Sequence, residues 1–516
     1  MQTISQNESN FKSPGEIFFN VLKNDVDPNK IAMIDKVTKK QINYGELLDQ
    51  SLKLAEELKA LGVKKGDFVG IVSGNRPEFF VPVLACFFLG AAIHPINEVY
   101  LLNELKAAFI HSKPKVMFTT QDHFEKVLVL REITDYINNI INFDGNYLEI
   151  IQKRSGLNEK QIVGGCEDDC ALLLNSSGTT SFPKSVVLTQ RNVKTIFNYL
   201  KLPYIDLNTE NVFIGMMPFY HCFGLILGLG SIVNLSMMVI LRKFNPKDYC
   251  EIIEEYNVTC LQIVPSIGVF LAKHPMIMDY DFSRVKDIVC GAAPLGVEVQ
   301  DALEKRLNCK IRQMYGMTET SGLISLVPTG DESKIGASGK PLPWVDIKVI
   351  DIDNNEEMAQ GGIGELCVKT IQNMKGYLGM DEDTKSLYWN DDYFRTGDIG
   401  YIDENGEIFI LDRLKEMIKY KAFQVSPSEL EDILNSHEYI VESGVIGLPD
   451  ERAGELPMAF VVKRENVDLS EEAVKEFVAG HVSLHKQLHG GVKFVKEIPK
   501  GASGKILRKT LRQLIK

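Results

Sequence analysis

The chain predicts an α/β protein: a large N-terminal domain of α/β layers plus a β-rich subdomain, then a small α+β domain at the C-terminus. Three observations carry that prediction. Apolar, β-prone runs alternate with helical patterns through the first four hundred residues, and after about residue 330 the texture turns to strands and turns. The last hundred residues form a compact, basic-tipped unit of two helices and two strands. With 516 residues, 45% of them apolar, the chain exceeds a single core, and roughly two to four structural units are expected.

In chain order, Tyr44 to Leu61 repeats apolar residues at three and four and stops at Gly62, which predicts a helix. Asp67 to Asn75 reads as a short buried strand, and Asn75 to Leu89 as a helix entered through Arg76-Pro77. KVMFTT (from Lys115), VFIGMMP (from Val212), MVIL (from Met238) and CLQIVP (from Cys260) are further strands between helices. Cys222 to Leu241 carries no charge over about a spanning length. Its three glycines, Ser231, Asn234 and Ser236, and the lack of an aromatic belt favour a buried helix and strand over a membrane span.

Pro341 to Lys369 and Tyr401 to Asp412 predict strands, the latter a hairpin around Glu404-Asn405-Gly406. Beyond lie helices at Pro427 to His437 and Ser470 to His481, with strands at Ser443 to Leu448 and Ala459 to Lys463. Polar residues after Ile410-Leu411-Asp412 place a boundary there, giving domains 1–412 and 413–516.

The net charge of −12 argues against a nucleic-acid surface, although a local basic pocket for a phosphorylated ligand stays open. Nine scattered cysteines, most among apolar neighbours, suit a reducing compartment. Cys166 and Cys170 bracket EDD without the second pair that a zinc site needs. MQTISQNESNFKS lacks signal-peptide regions and RQLIK is no peroxisomal tail, so a cytoplasmic protein is expected.

The chemistry concentrates in a few stretches. Asn175 to Thr189, NSSGTTSFPKSVVLT, brings six hydroxyls from Ser176 to Ser185, together with Lys184, to a loop that joins two extended runs, with Pro183 barring a helix. It is no Walker A motif. Hydroxyls, backbone N–H groups and one ammonium can still grip a triphosphate, though alone the stretch is equally a surface turn. YGMTET (Tyr315 to Thr320) gathers an aromatic ring, glycine, hydroxyls and a carboxylate; by itself it also fits a helix cap at Thr318. Asp398 stands in FRTGDIGYID as a Gly-flanked turn aspartate, and Arg413 follows fifteen residues later. DRLKEMIKYKAFQVSPSELE by itself reads as a solvated amphipathic run, and Lys505 in PKGASGKILRKTLR as a tail turn. His221 in PFYHCFGL fits a core histidine when taken alone.

Taken together, these stretches resemble the adenylate-forming superfamily of acyl-CoA synthetases, coumarate-CoA ligases, firefly luciferase and peptide-synthetase adenylation domains. The resemblance runs from about Tyr44 to Arg508, with five motifs in the expected order. Texture such as LHKQLHGGVKFVKEIPKGASGKILR is most similar to animal luciferase-like acyl-CoA synthetases. Ser181 and Ser185 depart from the family's glycines, which implies altered loop flexibility and slower pyrophosphate release.

What the resemblance implies is the adenylate-forming fold, with a mobile C-terminal domain turning near Lys415. ATP would be held by Ser176, Ser177, Gly178, Thr179, Thr180 and Lys184, by Gly291, Ala292 and Ala293, and by Gln313, Met314, Tyr315, Gly316, Met317 and Thr318. Tyr315 would lie beside adenine and Thr318 reach the α-phosphate. Asp398 and Arg413 would contact the ribose, with Ile410 nearby, and Glu319 with Thr179 would hold Mg2+. His221 would gate an acyl pocket lined by Phe223, Ile267, Val269, Cys290, Gly316, Leu323 and Ile324. Lys505 would act in acyl-adenylate formation, and Lys419 with Gln424 in the second half-reaction, thiol transfer.

The implied activity is an acid–thiol ligase using ATP, Mg2+ and coenzyme A on a fatty or aryl acid. No acid near PFYHCFGL receives an α-amine, which disfavours amino acids. The rivals are a luciferase that oxidises its adenylate with O2, disfavoured by the apolar position near Ile196 and by bulky Leu323, and a non-catalytic nucleotide-binding relative. Monomer and dimer are both compatible with the sequence.

Overall fold

The computed structural model describes residues 12–176, 184–200, 208–380, 384–421, 423–501 and 504–515. Among them are four sheets. One has eight strands in the order Gly322–Leu326, Ile311–Met317, Asp287–Cys290, Cys260–Ile263, Val212–Gly215, Met237–Ile240, Ile31–Asp35, Gln41–Asn43. A second has seven, in the order Gly376–Tyr377, Lys184–Thr189, Cys170–Ser176, Ala92–Ile96, Phe68–Val72, Val116–Thr119, Asn139–Asn142. Apart from Lys184–Thr189, which is antiparallel to both neighbours, their inner strands run parallel and are covered by helices, so strands such as Cys260–Ile263 and Val116–Thr119 are buried along their whole length.

A single core joins these two sheets. It includes the helix Phe80–Leu89, whose ten residues are all buried, and the helix Cys222–Val233. A Cβ on Gly228 would lie 2.0 Å from the Phe80 ring, so glycine is what lets these helices touch. The uncharged stretch thus resolves into the expected buried helix and the strand Met237–Ile240. Among the described residues no helix is long and apolar enough to cross a membrane.

The predicted helix Tyr44 to Leu61 spans Tyr44–Ala60, capped by Asn43 and followed by Gly62 at φ +83°. The helix expected from Asn75 begins only at Phe80. Pro77 opens a short 3-10 turn, and Asn75 is diverted to donate to the carbonyls of Gly215 and Met217.

A third, β-rich sheet contains Val345–Ile350, Gly364–Thr370, Tyr393–Ile402, Tyr388–Trp389 and Ile408–Arg413. The expected hairpin turns at Gly406, φ +78°, where Asp403 Oδ1 accepts from the amides of Asn405 and Glu407. The fourth sheet, Phe423–Val425, Ile418–Tyr420, Gly454–Lys463, Ile440–Asp450 and Gly491–Phe494, is covered by the helices Pro427–Ser436 and Glu471–Ala479 around its own core.

Candidate active site

A cavity of about 480 Å3 opens where the edges of the first two sheets, the third sheet and the C-terminal segment meet. Its size suits a small-molecule ligand. One wall comes from the antiparallel hairpin of Cys170–Ser176 and Lys184–Thr189, in which Ser176 pairs with Lys184. Ser176 and Lys184 line the cavity. Ser177, Gly178, Thr179, Thr180 and Ser181 lie outside the described residues. Ser185 lies in extended strand, so the left-handed freedom of a glycine is not needed there. Its hydroxyl donates to Asn175 Oδ1 at 3.1 Å, tying the base of the loop together.

YGMTET is the end of the strand Ile311–Met317 followed by a 3-10 turn at Thr318–Thr320, and not an α-helix start. Met314, Tyr315, Gly316, Met317, Thr318 and Glu319 all line the cavity. Gly316 is obligatory: a Cβ would lie 2.0 Å from the Gly322 carbonyl oxygen of the partner strand. Glu319 is buried and accepts from the Tyr377 hydroxyl at 3.0 Å, while the Lys184 ammonium stands 4.8 Å from the centre of the same Tyr377 ring.

Asp398 is not a turn residue. It lies in the strand Tyr393–Ile402, with Gly397 before it at φ +71°, and faces Arg413 in register on the neighbouring strand. Arg413 Nε bonds Asp398 Oδ1 at 2.7 Å, and the Tyr315 hydroxyl donates to Oδ2 at 2.7 Å. Burial, then the Asp398 charge, pushes the Tyr315 phenol well above its usual range, so it remains a donor. Tyr315 and Arg413 line the cavity, and buried Asp398 holds both of them from behind the wall.

Lys505 comes from the far end of the chain and still lines this cavity, with Arg413, Lys415 and Glu319. Its pKa is lowered by burial first and by Arg413 second, while Asp398 and Glu319 pull it back up. His221 lines the cavity and caps the helix Cys222–Val233, accepting from the Phe223 amide at 3.3 Å. Burial, with the Lys505 charge nearby, lowers it to about 4, so the imidazole is neutral at pH 7.

The apolar end is built by Phe223 and Leu323, as expected, together with Tyr199, Cys222, Ile226, Leu227 and Gly322. Several expected residues lie elsewhere. Ile267 and Cys290 are in the second hydrophobic core with Val269 packed against it, and Ile324 is in the first. They point away because strand and helix residues alternate between faces.

Gln313 is buried and does not line the cavity; it clamps Leu295 through both backbone groups, at 2.8 and 2.9 Å, and so shapes the loop GAAPL, Gly291 to Leu295. In that loop Ala292 reaches the cavity at φ +72°, Gly291 backs onto Met314, and Ala293 is exposed. Ile410 pairs with Gly400 in the third sheet and is not a wall residue. Lys419 and Gln424 are cross-strand partners on an exposed face of the C-terminal domain, away from the cavity.

Tyr377 is the main residue that sequence reasoning missed. It sits in a two-residue strand against Lys184–Thr189, and GY between a lysine and a leucine carries no motif.

Among the described residues no group of three or more His, Cys, Asp or Glu side chains is placed to hold a metal ion. A magnesium ion carried by nucleotide phosphates needs fewer protein ligands, and buried Glu319 at the cavity wall fits that requirement.

Comparison with known proteins agrees with this geometry. The AMP-binding enzyme family matches residues 23–378, and the AMP-binding enzyme C-terminal domain matches 429–505. The chain is 37% identical to luciferin 4-monooxygenase of Nipponoluciola cruciata, covering 94% of this chain and 91% of that one. It is 36% identical to 4-coumarate–CoA ligase 3 of Arabidopsis thaliana, covering 94% and 88%. ATP-bound MatB from Rhodopseudomonas palustris superposes with a TM-score of 0.88 at 27% identity, over 96% and 98% of the chains.

Proposed function

The chain belongs to the AMP-binding enzymes and is an adenylate-forming enzyme that uses ATP and a carboxylic acid; we propose that the acid is apolar, fatty or aryl, and that coenzyme A accepts the acyl group. The observation that carries this reading is the cavity itself. One end is polar, lined by Lys184, Glu319, Arg413 and Lys505, with Asp398 bonded to Arg413 behind the wall, and the other is lined by Phe223, Ile226, Leu227 and Leu323 with no carboxylate among them. An α-amino group has no acid to meet there, whereas an alkyl or aryl tail has apolar walls.

In the first half-reaction the acid's carboxylate oxygen attacks the α-phosphorus of ATP. The P–O bond to the β-phosphate breaks, pyrophosphate leaves with that electron pair, and acyl-AMP remains. Arg413 and Asp398 orient the ribose, Lys184 and Ser176 meet the outer phosphates, and Thr318 the α-phosphate. Lys505 stabilises the negative charge that builds between carboxylate and α-phosphate, the kind of contact that lowers a barrier most. Glu319 would hold magnesium, which supplies charge neutralisation on the phosphates.

In the second half-reaction a thiol sulfur attacks the acyl carbonyl carbon, the bond to the AMP oxygen breaks, and AMP departs. Lys419 and Gln424, now on an outer face, serve that step after the C-terminal domain, residues 413–516, turns near Lys415.

A luciferase-type oxidation of the adenylate is the second reading, because the Nipponoluciola cruciata relative is a luciferin 4-monooxygenase. Against it, Ile196 is fully buried in the core. Assembly of Lys505, Glu319 and Arg413 at one cavity, with Asp398 bonded to Arg413 behind it, favours catalysis over mere nucleotide binding. The test is AMP release from purified protein against a panel of acids, with and without coenzyme A. Acid-dependent AMP release that needs coenzyme A supports the ligase, and acid-dependent AMP release that runs equally fast without coenzyme A contradicts it. Light on adding luciferin and O2 selects the second reading.

A further inference from the structure

The helix Pro265–Lys273 meets the C-terminal domain at both of its ends. At its start the loop that carries Lys505 comes so close that a Cβ on Gly504 would lie 2.8 Å from Val264 Cγ2 and 3.5 Å from Ser266 Oγ. At its last residue, Lys273 Nζ donates to the carbonyl oxygens of Asn435 and Ile440, the latter at 3.2 Å. Asn435 is in the last turn of the helix Pro427–Ser436, where carbonyls lack intrahelical donors and the helix dipole is negative. The two contacts are joined by nine helical residues, a rigid spacer of about 13 Å.

The opposite end of Pro427–Ser436 is held as well. The Ser426 hydroxyl and the Ser428 amide donate to Asp412 Oδ2 at 2.8 and 2.9 Å, which places an acid at the positive end of that helix. Midway, Gly296 admits Asp432, since a Cβ there would lie 2.6 Å from Asp432 Oδ1. Arg306 donates to the carbonyls of Ala272 and His274, at 2.7 and 2.8 Å, and so fixes the backbone on either side of Lys273. The charged or titratable neighbours of Lys273 are Arg464 and His437. Burial, then Arg464, lowers its pKa to about 8, so the charge is a cost there and the two carbonyls are what hold the side chain.

We propose that Lys273 is a positioning residue for acyl-adenylate formation: it fastens the C-terminal end of Pro427–Ser436 to the same helix that receives Gly504, and thereby seats Lys505 in the cavity. This rests on the reading of Lys505 as the lysine of the first half-reaction. The test compares full-length wild type, Lys273→Met and Lys273→Arg in two ways. Hydrogen exchange on the ligand-free protein reads docking directly, in peptides covering residues 427–441 and 499–508. Kinetics reads pyrophosphate release from ATP and acid separately from thioester formation with a supplied acyl-adenylate.

Lys273→Met is expected to lose protection in both peptides while the strands of the first two sheets keep theirs. Its pyrophosphate release slows about tenfold, the loss expected for a hydrogen bond from a charged group, and its thioester formation is unchanged. Lys273→Arg restores part of both losses. Unchanged exchange in Lys273→Met overturns the proposal, and so does an equal fall in the two half-reactions, which marks a merely structural residue. If no acid supports pyrophosphate release in wild type, the functional reading fails, and the exchange data alone decide whether Lys273 docks the domain.

Discussion

Replacing Gly504 by alanine separates the docked position of the Lys505 loop from everything else that the loop does. Two costs follow from the structure. Gly504 has φ +80°, and an L-residue there loses about 1–2 kcal/mol wherever the domain sits. The new methyl would also stand 2.8 Å from Val264 Cγ2, an overlap present only when the loop is docked. Overpacking of that kind costs about 1–3 kcal/mol, or roughly a five- to hundred-fold slower first half-reaction. Single-turnover pyrophosphate release measures this loss, and thioester formation from a supplied acyl-adenylate should be nearly normal. Adding Val264→Ala removes the opposing methyl and should recover the overlap part while leaving the backbone part. A Gly504→Ala enzyme that loses nothing, or one that Val264→Ala fails to rescue, refutes the docking geometry.

Other expectations follow from the same contacts. Tyr377→Phe removes the hydrogen bond that orients Glu319, and should raise the Mg2+ needed for half-maximal pyrophosphate release a few-fold, about 1 kcal/mol; an unchanged Mg2+ titration contradicts the role. Leu323→Ala enlarges the apolar end and should shift kcat/KM toward bulkier acids by about 1–3 kcal/mol, read by competition between acids of different width; an unshifted ratio removes Leu323 from the acyl wall. His94 donates or accepts between Ser112 and Asn175 at the base of the hydroxyl-rich loop, and burial lowers it to about 4 from an ordinary 6.5. The unfolded chain therefore takes up a proton between pH 6.5 and 4 that the folded chain refuses, and stability falls as pH drops through that window. His94→Gln should flatten this part of the pH dependence of the urea midpoint, and an unaltered slope argues against a neutral His94.

The residues that the sequence revealed most clearly are those whose chemistry and neighbours are both local. YGMTET contributes all but its last residue to the cavity, and the two extended runs on either side of the hydroxyl-rich loop are strands, which pair with each other. Asp398 and Arg413 are fifteen residues apart in sequence but adjacent across a hairpin, a pairing that only the register at Gly406 creates. Ile267, Cys290 and Ile324 have the right apolar chemistry but sit on the core side of their elements, because burial alone does not say which cavity a residue faces. Gln313 follows the same logic from the polar side: it stands next to the site in sequence and spends its hydrogen bonds on Leu295 and Gln300. Tyr377 and Lys273 were invisible for a different reason. Each acts through a partner more than fifty residues away, Glu319 for one and Asn435 for the other, and no local pattern marks such a pair.

Acid-dependent exchange of labelled pyrophosphate into ATP, with and without Lys505, asks most directly whether this cavity forms an acyl-adenylate. Wild type should exchange label only when an apolar acid is present, without any thiol, and Lys505→Ala should lose at least a hundredfold while keeping its thermal midpoint, as expected for a contact worth about 3 kcal/mol in the transition state. Exchange that persists at the wild-type rate in Lys505→Ala, or no exchange with any acid, contradicts the account.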